Sequence, residues 1–325
     1  MVRSRGSLWA REGAIAKAFA TAAILLATLT ALVPTQAHGA SIIAAEVAGA
    51  AKAGDFETAN KLLVQYRAQR GADAAYLEAD SWIGRGQLAA KNYKAALDNA
   101  NDVHAQCVKM LTHRKLDADD VLPLALGASI EVTAQALTAQ GQRDQAVGYL
   151  QTEMQKWRTS SIAPRIQKNI NLISLEGKPA PPLDIAQWVA GPRPRPLTAH
   201  LGHPVLLFFW AHWCSDCKQE IAVIQQIQQA YKSKGLEVIA PTQHYGYVAG
   251  GADAPLAIET PYIAKVYSIY YAGLGNIETP LNEANFVRYG VSTTPTLVLL
   301  NAAGNVTLYH PGLMTFNELS AALRR

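Results

Sequence analysis

The chain has 325 residues, half of them hydrophobic, with 29 Lys+Arg, 25 Asp+Glu and a formal charge of +4. The N-terminal 39 residues hold Arg3, Arg5, Arg11 and Lys17 against Glu12 alone, so without them the formal charge is near +1 and nothing reads as a nucleic-acid footprint. About 285 residues then remain, enough for two cored domains, and only three cysteines, which excludes a disulfide-stapled scaffold.

The chain opens on an address. Its basic residues precede Ala18–Val33, an apolar stretch short for a membrane span, and small residues at Ala37, Gly39 and Ala40 offer cleavage sites. Residues 1–39 read as an export signal, with an uncleaved anchor as the alternative. Either way the rest of the chain is expected in the periplasm or another extracytoplasmic space, where dithiols and disulfides exchange.

Residues 41–170 read as a helical domain rich in Ala, Leu, Gln and Lys. Three short stretches resemble one another: Gly54-Asp55-Phe56-Glu57-Thr58-Ala59, Lys91-Asn92-Tyr93-Lys94-Ala95-Ala96 and Gly141-Gln142-Arg143-Asp144-Gln145-Ala146. They are expected to be turns inside a stack of helical hairpins of tetratricopeptide (TPR) type, although their spacings of 37 and 50 residues exceed the usual repeat of about 34. Such a stack offers a face to a protein partner; a plain helical packing domain is the other reading. Cys107 reads as a small apolar side chain buried on a helix.

Pro179-Ala180-Pro181-Pro182 marks a linker, placed at 171–184, and a second domain is expected over 185–325. Ile185–Val189 reads as a short strand. Val205–Trp210 has no polar member and reads as a strand covered on both faces. Cys214-Ser215-Asp216-Cys217 follows, then Ile221, Ile224, Ile227 and Tyr231 at helical spacing. Both cysteines thus lie on the first turn of a helix, where the partial positive charge favours a thiolate. Leu236–Ala240 is a second strand. Ala254–Tyr271 and Asn282–Tyr289 read as helices, Thr296–Leu300 and Val306–Tyr309 as a hairpin, and Thr315 with Glu318 as a capping box on a last helix. The fold class expected is α+α/β: a helical-hairpin domain, then an α/β domain with a mixed central sheet.

Four segments within residues 177–325 resemble the TlpA-like family of thioredoxin-fold, extracytoplasmic thiol:disulfide oxidoreductases. They are Gly177-Lys178-Pro179-Ala180-Pro181, the run Leu206 to Lys218, Tyr289-Gly290-Val291-Ser292-Thr293-Thr294-Pro295-Thr296, and Gly304-Asn305-Val306. The resemblance covers a little under half of the chain. It implies a redox-active Cys214–Cys217 disulfide with no other cofactor and no metal. Cys214 would be the attacking thiolate and Cys217 the resolving one. Thr294 and a cis Pro295 would lie against the sulfurs and pair with the substrate chain, and Trp213 would border the site. Protein disulfides or dithiols would be the substrates, with a membrane thiol donor upstream.

The chain departs from the family at two places. Phe208 replaces an acidic or amide residue and cannot relay a proton, so that role passes to Glu220; an exposed helix carboxylate is the alternative. Asp216 replaces a common proline, and its charge disfavours the thiolate, which favours a reductase over an oxidant. His212 reads as a solvated loop histidine and, less simply, as a support for the thiolate. His244, Tyr245 and Tyr247 read as packing of inserted helices or as a substrate-facing surface. Two further functions compete: extracytoplasmic handling of copper or another soft metal by the thiols, and a partner-binding scaffold whose dithiol is vestigial.

Overall fold

The computed structural model describes residues 36–324. The expected leader segment Ala18–Val33 lies outside the described residues.

Among the described residues seven α-helices come first: α1 (Gln36–Lys52), α2 (Phe56–Arg70), α3 (Ala74–Ala89), α4 (Tyr93–Met110), α5 (Leu122–Ala139), α6 (Arg143–Trp157) and α7 (Ala163–Ser174). The three similar stretches make three similar turns. In each, a backbone amide reaches back five residues, Asp55 N to Ala50 O, Asn92 N to Gln87 O and Gln142 N to Leu137 O, at 2.8–2.9 Å. A left-handed residue precedes each amide: Gly54, Lys91 or Gly141. These are Schellman closures that end one helix and aim the next back along it. Leu77, Leu122, Leu126, Ile130 and Leu150 fill the core between the hairpins, and Cys107 is buried with them. Burial, with Asp80 nearby, pushes the Cys107 thiol up to about 12, so it stays protonated and inert.

The second half is built on β1 (Val205–Phe209), α8 (Ser215–Tyr231), β2 (Glu237–Ile239), α9 (Leu256–Val266), α10 (Glu283–Tyr289), β3 (Thr296–Leu300), β4 (Val306–Pro311) and α11 (Phe316–Ala322). The sheet order is β2-β1-β3-β4, with β1 parallel to β2 and antiparallel to β3. Alternation along the strands decides which face each side chain covers. Leu206, Phe208, Leu297 and Leu299 pack with the helix residues Ile224, Ile227, Ile263 and Leu319. Leu207, Phe209, Val298 and Leu300 pack on the other face with Phe286 and Tyr289. Helices thus cover both faces of a mixed sheet, and the α/β half is a thioredoxin fold behind a helical region. Thr315 and Glu318 form the expected capping box.

One local expectation differs from the structure. Ile185–Val189 forms no strand; it makes one bridge, Trp188 to Pro280. Three prolines at 192, 194 and 196 lack the N–H donors that a longer ladder needs. The proline-rich segment is held by the α/β half. Gly177 N donates to Val306 O at 2.8 Å, Pro179 bridges Asn305, and Asp184 N donates to Asn285 Oδ1 at 2.6 Å.

The helical region meets the α/β half at the segment that leads to Pro295. Asn171 Nδ2 donates to Tyr289 O at 2.8 Å, and Tyr309 Oη donates to the same carbonyl at 2.8 Å. Gly290 follows with a left-handed φ of +62°. A Cβ there would stand 2.2 Å from Lys168 N and 2.6 Å from Gln167 C, both backbone atoms of α7. Gly290→Ala is therefore expected to destabilise the protein by roughly 2 kcal/mol or more, from backbone strain and overlap together. An unchanged urea midpoint would contradict this contact.

Candidate active site

β1 delivers the chain to the site. Beyond Phe209, Trp210 N donates to Pro241 O at 3.1 Å and Trp210 Nε1 donates to Ala240 O at 3.0 Å, which locks the strand end to β2. Thr242 Oγ1 donates to Trp210 O at 2.9 Å. Ala211, His212 and Trp213 then turn the chain, and Cys214 caps α8 with extended backbone angles. Its Sγ accepts from Cys217 N at 2.9 Å, so the sulfur occupies the place that Ser or Asp takes at most helix starts. Cys214 and Cys217 are joined as a disulfide with Cα atoms 5.3 Å apart. Cys214 is 3% exposed and Cys217 is fully buried, so the two differ only slightly in this oxidised state. Trp213, at 49% exposed, is the prominent side chain beside them.

The strand register brings in the second segment. Thr296 of β3 stands opposite Phe209, the last residue of β1. The preceding Thr294–Pro295 peptide, which is cis, therefore falls beside the start of the redox turn. Pro295 O accepts from Gly312 N at 2.8 Å, and Thr296 Oγ1 donates to Thr293 O at 2.7 Å. Thr294 is half-buried, and its Oγ1 has no hydrogen-bond partner among the described residues.

Glu220 lies inside the protein, only 1% exposed, rather than on the outer face of α8. Its two oxygens lie 3.3 and 3.4 Å from Met314 N, their one donor. Burial raises its carboxyl to about 7, the Met314 amide draws it part of the way back, and Glu318 adds to the rise. Such a group holds or releases a proton near neutral pH. Phe208 is fully buried in the same core cluster as both cysteines and contributes no polar atom. Asp216 is exposed, where solvent and salt screen its charge, so its leverage on the sulfurs is small.

His212 corrects the solvated-loop expectation: it is 2% exposed. Its partner is Glu259 on α9, a fully buried carboxyl group that sequence reasoning passed over. The available signal was a lone acid in the otherwise apolar Leu256-Ala257-Ile258-Glu259 turn. Tyr245 and Tyr247 belong to the packing around His212 rather than to an open surface, with ring centroids 5.4 Å from the imidazole. His244 is bonded away to Thr260 Oγ1 at 2.8 Å. Among the described residues no group of three His, Cys, Asp or Glu side chains is placed to hold a metal ion.

When this site is reduced, Cys214 should alkylate before Cys217. Its sulfur is at the helix N-terminus, faces the Cys217 amide and is the less covered of the two. Timed iodoacetamide labelling near neutral pH, read by peptide mass spectrometry, checks the order; faster labelling of Cys217 would reverse the assignment.

Residues 198–325, less than half of the chain, match the family model described as a thioredoxin-like domain. The chain is 27% identical over 124 residues to the thiol-disulfide oxidoreductase ResA of Bacillus thuringiensis, a span of 38% of this chain and 64% of that protein. It is also 27% identical over 114 residues to ResA of Bacillus subtilis, covering 35% and 56%. The match thus spans under two thirds of the length of these relatives. A solved thiol:disulfide interchange protein of the thioredoxin family from Chlorobium tepidum is 18% identical, covering 45% of this chain and 94% of that one, with a TM-score of 0.35.

Proposed function

We propose that this chain is an extracytoplasmic thiol:disulfide oxidoreductase that reduces disulfides of exported proteins through Cys214 and Cys217. The observation that carries the reading is the Cys214 sulfur at the α8 N-cap, bridged to Cys217 and accepting its amide. Resemblance to proteins named ResA supports the same chemistry.

In the reduced enzyme the Cys214 thiolate attacks one sulfur of a substrate disulfide. The substrate S–S bond breaks, one substrate sulfur leaves as a thiolate, and a mixed disulfide forms on Cys214. Cys217 then loses its proton and attacks the Cys214 sulfur. The second substrate thiolate leaves, and the enzyme disulfide re-forms. Two electrons have passed from the enzyme dithiol to the substrate. Glu220, one helical turn after Cys217, accepts the Cys217 proton as its carboxylate and returns it to the departing thiolate. The Thr294 backbone pairs with the substrate chain as an added strand beside Pro295, and Trp213 covers the exchanging sulfurs.

A membrane thiol donor upstream would restore the dithiol, and the apolar leader would place the enzyme on the same side as exported substrates. The helical hairpins would hold a protein partner against the segment that leads to Pro295. Turbidimetric insulin reduction, with a dithiol as electron source, tests the activity: the full chain should precipitate insulin far faster than the dithiol alone. Equal rates would remove the enzyme reading and leave the scaffold reading.

A further inference from the structure

Two residues before the attacking cysteine, the structure closes a histidine into a cage. The edges of Tyr245, Tyr247 and Tyr262 surround the His212 ring, with centroids 5.4, 5.4 and 5.3 Å away. Tyr245 in turn touches Trp213 at 5.5 Å, which connects the cage to the open face beside Cys214. At the cage floor His212 Nε2 stands 3.4 Å from Glu259 Oε1. The other contacts of Glu259 are backbone amides: Tyr245 N donates to Oε1 at 2.5 Å and Gly246 N to Oε2 at 3.0 Å. The imidazole has no such satisfaction. Its Nε2 is buried without a well-aligned hydrogen-bond partner among the described residues, a costly state for a polar atom beside a buried carboxyl group. A proton on that nitrogen would face Glu259, and with both ring nitrogens protonated the imidazolium would balance its charge.

The remaining titratable neighbours are Lys218 on α8 and His244 after β2. Burial holds the His212 pKa down, Glu259 offsets part of that, and Lys218 and His244 add to the lowering. Burial thus favours the neutral ring while the sulfurs are bridged. Reduction changes the balance, because it places a thiolate two residues away.

We propose that His212 and Glu259 form a buried proton-accepting couple that supports the Cys214 thiolate, with His212 as the positioning residue and Glu259 as its anchor. The proposal rests on the thiol–disulfide exchange reading. When a donor dithiol reduces the enzyme, it loses two electrons and two protons and its own sulfurs join. The Cys214–Cys217 bond breaks. One proton ends on Cys217 Sγ, the other on His212, and Cys214 remains a thiolate. The imidazolium then stands as the opposite charge to both Glu259 and the new thiolate.

The sign of one substitution separates this from plain repulsion. If Glu259 acted on the sulfur directly, Glu259→Gln would remove a negative charge and make Cys214 reactive at lower pH. If it acts through His212, the same change weakens protonation of the ring and moves Cys214 reactivity to higher pH. Iodoacetamide labelling of Cys214 in the reduced full-length chain, followed from pH 5 to 9, reads this. We expect Glu259→Gln and His212→Phe each to lower the rate at pH 6 by about tenfold, with the inflection moved up. An unmoved inflection, or a shift to lower pH, overturns the proposal. A readout on the unmodified protein covers a variant that does not fold: the His212 ring proton resonance, titrated in both redox states. Its pKa should be higher in the reduced state, and identical titrations overturn the proposal. Neither readout needs turnover. A chain that fails to reduce insulin but shows these shifts would lose the enzymatic reading and keep the couple; the converse result would do the opposite.

Discussion

Cys214→Ser should abolish disulfide reduction, by a factor on the order of 10³ or more, as expected when a nucleophile is removed. A serine hydroxyl at the α8 N-cap can still accept the residue-217 amide, so the helix start is kept and stability should change little from that of the reduced wild type. Cys217→Ser should give a different phenotype. Attack by Cys214 persists, but the sulfur that resolves the mixed disulfide is gone. The variant should then accumulate covalent adducts that vanish with excess reductant, and turnover should fall as far as in Cys214→Ser. Non-reducing electrophoresis with mass spectrometry of the Cys214 peptide separates the two. Adducts on Cys217 in Cys214→Ser, and none in Cys217→Ser, would exchange the roles of the two cysteines. With native exported proteins present, the same trap reports the substrates.

Glu220→Gln should separate chemistry from stability. Glutamine keeps the size and stays neutral, but cannot accept the Cys217 proton. The resolution step should slow by about 10²-fold, the low end for loss of a general base, and lose its inflection near pH 7. Stability should move the other way. The folded-state carboxyl is raised to about 7 from an ordinary value of 4.5, so the native state holds this proton more tightly than the unfolded chain. Its contribution is complete below pH 4.5 and is lost as pH rises through 7. At pH 8 wild type therefore buries a carboxylate at a cost of order 1–3 kcal/mol, which glutamine avoids. Urea melts should find the variant more stable than wild type at pH 8 and little different at pH 4.5. Equal stability at both pH values, with an unchanged rate profile, would make Glu220 an ordinary helix residue.

The parts of the site that neighbours in sequence create were legible from the residues alone. The unbroken apolar run at Val205 announces a central strand. Two cysteines at the head of the Ile221–Ile224–Ile227 stripe announce a pair on the first turn of a helix. Asp55, Asn92 and Gln142 share a turn whose hydrogen bonds span only five residues. The parts that distant residues create were not legible. Glu220 looks like any carboxylate on a helix until the Met314 backbone closes over it, 94 residues later. His212 reads as a loop residue until α9 brings in Glu259. Ile185–Val189 has the composition of a strand, yet a strand also needs a partner edge, and this one makes a single bridge, Trp188 to Pro280. Nothing beside Gly290 in the sequence announces the approach of α7, which leaves no room for a larger residue there.

The central claim is that Cys214 and Cys217 form a reversible two-electron couple poised for reduction. Equilibrating the full chain against thiol–disulfide buffers of graded potential tests it directly, with Trp210 and Trp213 fluorescence as the signal and mass spectrometry to count free thiols. The account predicts one two-electron transition in which Cys214 and Cys217 open together while Cys107 stays a thiol. Its midpoint should lie nearer about −270 mV, the range of thioredoxin, than about −120 mV, that of a strong oxidant. A midpoint at the oxidant end would reverse the direction of the reaction, and a pair that stays bridged at every potential would contradict the account itself.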